Sequence, residues 1–220
     1  MIVILFGPPG CGKGTQAKII SDKINCPHLS TGDMLREAVS LNTKTGKLAA
    51  EVMEKGNLVS DDIVANIIQE RINLEDCNGG FILDGFPRTI TQAKMLDKIL
   101  ETNDLVIDAV IEFGVDDIEL INRIIGRFTC KLCGTGYNDV SLRTEIKNIC
   151  DVCGSGDFIR RKDDNKKTAT ARIKAYHCET EPLIPYYRKK NVLNSVNGLA
   201  PIDKVTKHIL DLIKKENSYY

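Results

Sequence analysis

The run Gly7-Pro8-Pro9-Gly10-Cys11-Gly12-Lys13-Gly14-Thr15 carries the residue types that hold phosphate. It matches G-x-x-x-x-G-K followed by Gly14, with Thr15 one place later than the general pattern. Glycines let backbone N–H groups approach phosphate oxygens without a side chain between them. Lys13 adds a point charge for the outer phosphates. Cys11 lies inside this loop but is not expected to be a nucleophile, because such loops work through backbone N–H groups. A second carboxylate-bearing signal is Phe81-Ile82-Leu83-Asp84, an apolar run ending on an acid. Beside a phosphate loop, Asp84 is placed to orient Mg²⁺ or its waters.

The third constellation is Cys130-Lys131-Leu132-Cys133-Gly134 with Cys150-Asp151-Val152-Cys153-Gly154. Two C-x-x-C turns, each followed by a glycine, point to four-thiolate Zn²⁺ ligation by Cys130, Cys133, Cys150 and Cys153. Four protein ligands close the coordination sphere, so the metal would be structural. The competing readings are redox pairs or unbound thiols. The other cysteines are scattered, and the absence of a basic, apolar leader reads against secretion and a disulfide framework.

Of the cations, Lys13 sits in the phosphate loop and Arg88 follows Asp84, whereas Arg36, Arg123, Arg127, Arg161 and Arg172 lie elsewhere along the chain. Singly, each arginine is equally a solvated side chain, and Arg123 and Arg127 could simply suit a helix C-terminus. Asp163 and Asp164 are weaker candidates, for holding arginines or a hinge. His28, His177 and His208 fall outside the phosphate-loop, strand-end and zinc motifs.

These residues need positioning. Met1–Phe6 is continuously apolar, as a strand buried on both faces would be. Gln16–Ile24 reads as a helix with Ala17, Ile20 and Ile24 on one face. Strands are further expected at 81–84, 105–113 and 191–196, alternating with helices. Among these helices are Lys47–Lys55 after a break at 43–46 and one from Asp116 with Ile118, Ile121 and Ile125 inward. A long one runs from Asp164 toward Tyr186, and Pro201–Lys215 closes with Val205, Ile209 and Leu212. Alternation predicts a parallel sheet with helices on both faces, an α/β fold with the site at the carboxyl edge. Segments 30–60 and 128–160 leave from that edge, as a helical insertion and a zinc-bearing lid. The remainder, 1–29, 61–127 and 161–220, forms the core domain.

The 220 residues balance 30 Lys+Arg against 30 Asp+Glu, which gives no basic bias toward nucleic acid or an anionic membrane. No apolar run approaches the roughly 20 residues of a membrane span.

Together, Gly7–Thr15, Ser30-Thr31-Gly32-Asp33-Met34-Leu35-Arg36, Asp84-Gly85-Phe86-Pro87-Arg88 and the four-cysteine insertion resemble the adenylate kinase family. The resemblance is to its long-lid bacterial type, a P-loop kinase fold with an NMP-binding insertion. It implies reversible Mg²⁺-dependent phosphoryl transfer from ATP to AMP, giving two ADP. It implies ATP contacts at Gly10, Cys11, Gly12, Lys13, Gly14, Thr15, Arg123, Arg127, Gly136, Tyr137 and Ala200. AMP contacts would come from Thr31, Arg36, Asn57, Leu58, Val59, Gly85, Phe86, Pro87, Arg88 and Gln92, with Gln92 reading the adenine edge. Arg161 and Arg172 would clamp AMP and the moving phosphoryl. Lys13, Arg88, Arg127, Arg161, Arg172 and Asp84 would be catalytic. It further implies a cytoplasmic monomer. The rival readings are a kinase for another monophosphate or donor, a P-loop GTPase and a zinc-ribbon nucleic-acid module. The GTPase lacks its base-reading motif, since Asn165-Lys166-Lys167-Thr168 has no Asp.

Overall fold

The computed structural model describes residues 1–217, with side chains through 214. Its first strand, β1 (Ile2–Phe6), is buried along its whole length. That burial requires apolar layers on both faces, and the sheet supplies them. Five parallel strands run in the order β2 (His28–Ser30), β3 (Phe81–Asp84), β1, β4 (Ala109–Gly114), β8 (Leu193–Asn197). Alternate residues face opposite sides. Ile2, Ile4 and Phe6 join one core with Phe81, Leu83 and Val110, covered by α2 (Thr31–Ser40), α3 (Lys44–Glu54), α4 (Asp61–Ile72), α5 (Ile90–Thr102) and α8 (Leu183–Lys189). Val3 and Leu5 join the other with Ile82, Ile111 and Phe113, under α1 (Lys13–Ile24), α6 (Asp117–Ile125), α7 (Lys166–Ala175) and α9 (Ile202–Asn217). A separate antiparallel sheet of β6 (Gly136–Asn138), β5 (Arg127–Cys130) and β7 (Phe158–Ile159) carries the cysteines.

Several elements differ from expectation for local reasons. The third long strand starts at Ala109, not at residue 105. Leu105 N–H bonds back to Leu100 O on α5, and Val106 is exposed. Helix α3 begins at Lys44, because Thr43 Oγ1 caps it by accepting from Gly46 N–H at 3.0 Å. Gly46 is therefore no break. A Cβ there would lie 2.0 Å from Ala38 O, so glycine permits the α2–α3 crossing. In α6 the inward pair is Leu120 and Ile124, whereas Ile118 and Ile125 are exposed. Its apolar side chains span a wide arc, so Ile118, Ile121 and Ile125 form a face as regular as Leu120, Ile121 and Ile124 do, and periodicity alone could not set its phase. The expected long helix ends at Ala175 and continues as a π-turn over Tyr176–Thr180. Pro182, which has no N–H to donate, precedes α8. In α9, Ile213 rather than Leu212 joins Val205 and Ile209 in the core.

His177 on the π-turn ties this region together. Its Nε2 lies 3.0 Å from Asp117 Oδ2 and its Nδ1 2.8 Å from Glu181 Oε2. The hydrogen bond to Glu181, aided by Asp117, raises its pKa. A raised folded pKa means the contribution is complete below the ordinary His value of about 6.5 and fades as pH climbs through the raised value. His177→Gln should therefore destabilise the fold at pH 6, by less than about 1 kcal/mol for so exposed a pair, and hardly at all at pH 9. Urea unfolding at both pH values checks this.

Candidate functional site

All five strands of the main sheet run the same way, so the loops after β1, β2, β3 and β4 share one edge. The loop after β1 turns through Gly10 at φ +85° and Gly12 at φ +100° into α1. Gly10 is packed so tightly that a Cβ would meet Ile124 Cγ1 at 2.9 Å. Gly12 is the residue before the helix, so the first N–H groups of α1 are presented to the loop. Lys13 folds back over it, donating to Gly7 O at 2.7 Å and Pro8 O at 2.8 Å. Gly14 and Thr15 are exposed on the first turn, and Cys11 is buried against Phe113 and Val196 in the core.

Asp84 ends β3 and faces that helix start, where a Cβ on Gly14 would lie 3.4 Å from its Oδ2. His28 Nε2 lies 3.3 Å from the same oxygen. Burial alone would raise the Asp84 pKa. The His28 hydrogen bond and the charges of Lys13, His28 and Arg88 outweigh it and hold the carboxyl below the usual range. An ionised carboxylate beside a phosphate loop suits a hydrated divalent cation. His28 lies outside the strand-end motif in sequence yet next to its acid in space. The β2–β3 register, His28 opposite Ile82, brings it there and is not visible in sequence.

Next to Asp84 the chain crowds guanidinium groups. Arg127 makes a two-pronged pair with Asp164, Nε–Oδ2 2.8 Å and Nη2–Oδ1 2.6 Å. Arg172 Nη1 lies 3.0 Å from Asp163 Oδ2 and 3.5 Å from Asp164 Oδ1. Burial, with Arg127 and Arg88 nearby, pushes Arg172 down to about 10 against the pull of both acids. Arg161 is also pushed to about 10, by burial and by Arg127 and Arg36. Burial lowers Arg88 too, and its Nε donates to Gly85 O at 2.8 Å. At about 10, Arg161 and Arg172 remain charged near neutral pH. Asp33 joins Arg36 to Arg161, the latter at 3.2 Å.

One cavity lies beside this cluster. Thr31, Arg36, Asn57, Leu58, Val59, Gly85, Arg88, Gln92 and Arg172 line it, together with Leu35, Met53, Val64 and Asp163. Phe86 and Pro87 do not line it and are buried behind it. Arg161 is also outside its lining. Arg123 sits apart, donating to Gly198 O at 2.9 Å in the loop that also holds Ala200.

The four cysteine sulfurs lie within 4.8 Å of one another, with Cys130–Cys153 and Cys133–Cys150 each at 3.5 Å. A tetrahedral zinc with bonds of about 2.3 Å needs sulfurs about 3.8 Å apart, so the donor set fits. Both following glycines have positive φ, +69° at Gly134 and +72° at Gly154. Tyr137 does something unforeseen. Its ring packs against Phe128 and Phe158, and its hydroxyl lies 3.3 Å from Cys150 Sγ while accepting from Asp151 N–H at 2.9 Å. The Tyr137 hydroxyl is thus committed to the cysteine cluster. Lys18 of α1 donates to Cys133 O at 2.6 Å, linking this small sheet to the P-loop helix.

The adenylate kinase family model matches residues 5–192. The chain belongs to the adenylate kinase family. Curated adenylate kinases bear this out over nearly full length. That of Allorhizobium ampelinum is 55% identical, covering 95% of this chain and 97% of the relative. That of Rhizobium rhizogenes is 53% identical over 98% and 100%. That of Archaeoglobus fulgidus is 48% identical over 99% and 100%. Adenylate kinases are nucleoside monophosphate kinases, so the chain falls among phosphotransferases and the GTPase and nucleic-acid readings are set aside.

The Tyr137 hydroxyl can donate to a thiolate at Cys150. Tyr137→Phe should weaken metal retention about tenfold, the lower range for a lost ligand-orienting hydrogen bond. Competition with a chromogenic chelator for bound Zn²⁺ checks this, and an unchanged dissociation constant would contradict it.

Proposed function

We propose that the chain transfers the γ-phosphoryl group of ATP to AMP, reversibly, with Mg²⁺. The observation that supports this most is the convergence of a phosphate loop and a cavity lined by Thr31, Arg36, Arg88 and Gln92 on the same arginine cluster. In this reading Gly10 to Thr15 hold the ATP phosphates through backbone N–H groups and Lys13. Arg123, Gly136, Tyr137 and Ala200 flank the rest of ATP. The cavity takes AMP. Arg36 and Arg88 face its phosphate, and Gln92 with the apolar walls Leu35, Val59 and Val64 faces its base.

An oxygen of the AMP phosphate attacks the γ-phosphorus while the bond to the β–γ bridging oxygen breaks. The acceptor phosphate is largely dianionic at neutral pH, its second pKa being about 6. No proton must be removed, so no general base is required, and His28 is free to hold Asp84. Charge spreads over the transferring oxygens, and Arg88, Arg127, Arg161 and Arg172 offer donors fixed in advance. Asp84 would hold Mg²⁺, which supplies charge neutralisation at the ATP phosphates.

Residues 30–60 and 128–160 are read as the parts that close over the nucleotides and exclude water. The Asp33–Arg161 pair and the Lys18–Cys133 contact are among the places where each meets another part of the chain. Zn²⁺ in the cysteine cluster would keep the second part rigid, so its removal should lower the melting temperature far more than turnover at low temperature. A cytoplasmic monomer is implied by the resemblance. No described helix is long and apolar enough to cross a membrane.

The test is ADP formation from ATP with AMP, CMP, UMP or GMP, against Lys13→Ala. AMP alone should support fast turnover, and Lys13→Ala should lose about 100-fold or more, as for one electrostatic donor at a transition state. Slow phosphate release without acceptor preference would overturn the reading.

A further inference from the structure

Gln92 lines the cavity although only 1% of it is exposed. Its amide is gripped at both ends. Arg88 N–H donates to Oε1 at 2.7 Å, and Nε2 donates to Asp61 Oδ1 at 2.8 Å. A backbone N–H can only donate and a carboxylate can only accept, so just one orientation of the amide satisfies both. The reverse orientation would set N–H against N–H and oxygen against oxygen. Asp61 is itself fixed. Thr89 Oγ1 lies 3.2 Å from each of its oxygens, while accepting from Gln92 N–H at 3.0 Å. Asp61 does not line the cavity. It opens α4, and Gln92 and Thr89 open α5, so the lock joins two helix starts.

After these bonds, Nε2 keeps one hydrogen and Oε1 one lone pair. Those two positions are the polar groups Gln92 can offer a base among Leu35, Val59 and Val64. We propose that Asp61 is a specificity-determining positioning residue, locking the Gln92 amide in the order that accepts a 6-aminopurine and refuses a 6-oxopurine. The inference rests on the reading that the cavity holds the acceptor monophosphate. A 6-aminopurine edge offers an acceptor at N1 and a donor at the 6-amino group. A 6-oxopurine offers the opposite, a donor at N1 and an acceptor at O6, and needs the amide reversed. With the phosphate held by Arg36 and Arg88, the base enters in one direction, and the amide order then decides. A mispaired edge leaves buried polar groups unbonded, which is the strong form of discrimination.

AMP and IMP share ribose and phosphate and differ at this edge, so they are the probes. kcat and KM for both, with saturating MgATP, are to be measured for wild type, Asp61→Asn and Asp61→Ala, with thermal unfolding of each. The carboxamide of the Asp61→Asn variant can donate or accept, so the Gln92 amide loses half its lock. The wild type should prefer AMP. Both variants should narrow the AMP:IMP ratio of kcat/KM about tenfold, the equivalent of one hydrogen bond. The change should appear in KM, with kcat for AMP retained, because Asp61 does not touch the transferring group. A wild type that prefers AMP and folded variants that keep the full ratio would overturn the role of Asp61 alone. A wild type that uses AMP and IMP equally would overturn the acceptor reading together with it.

Discussion

The structure depends on holding guanidinium groups close together in a half-buried space. Arg88, Arg127, Arg161 and Arg172 repel one another, and burial removes the water that would screen them. Burial and the neighbouring arginines push Arg161 and Arg172 down to about 10. Asp163 and Asp164 relieve part of this repulsion, and Asp164 is nearly inaccessible, with 1% of its side chain exposed. Both acids stand just before α7, which is anchored in the core by Ala169 and Ile173. The arginines are therefore set by the fold before any substrate arrives. What neutralises the remainder is anionic oxygen, and phosphate chains carry it at the matching geometry.

The parallel sheet makes this possible. Strands that run one way deliver their carboxyl ends to one edge, where the phosphate loop, Asp84 and the entrance to α2 meet. Two apolar layers, one on each face, fix the strands, so the edge can carry tightly turned glycines and crowded charges. The small sheet of β5, β6 and β7 cannot form such layers. Among described residues its buried core is Cys130, Tyr137 and Cys150 with Phe128, Cys133 and Phe158 packed against them. A metal is the natural way to hold so small a body.

Much of this was legible in the sequence because the signals were local. Gly7–Thr15 carries its conformation in its glycines, and the C-x-x-C-G turns carry their ligand spacing. The strand, helix and sheet class followed from apolar runs and alternation. What was not legible depended on register or phase. His28 meets Asp84 only because β2 pairs with β3 in one alignment. The buried face of α6 was not fixed by spacing, since Asp117–Ile125 offers two overlapping apolar faces; the one chosen carries Ile124, against which Gly10 packs. The Asp61–Gln92 bond was unreadable because its two partners stand on different helices. The Tyr137 contact with Cys150 was unreadable for a similar reason: sequence carries no direction for a side chain on a short strand.

The central claim is that the phosphoryl group passes directly between nucleotides inside the arginine cluster, shielded from water and without a base. A single-turnover reaction of γ-labelled ATP with excess AMP and Mg²⁺, followed by separation of products, tests it most directly. The account predicts that essentially all label appears in ADP and that the rate varies little from pH 7 to 9. Label released largely as free phosphate, or a rate rising tenfold per pH unit, would contradict it.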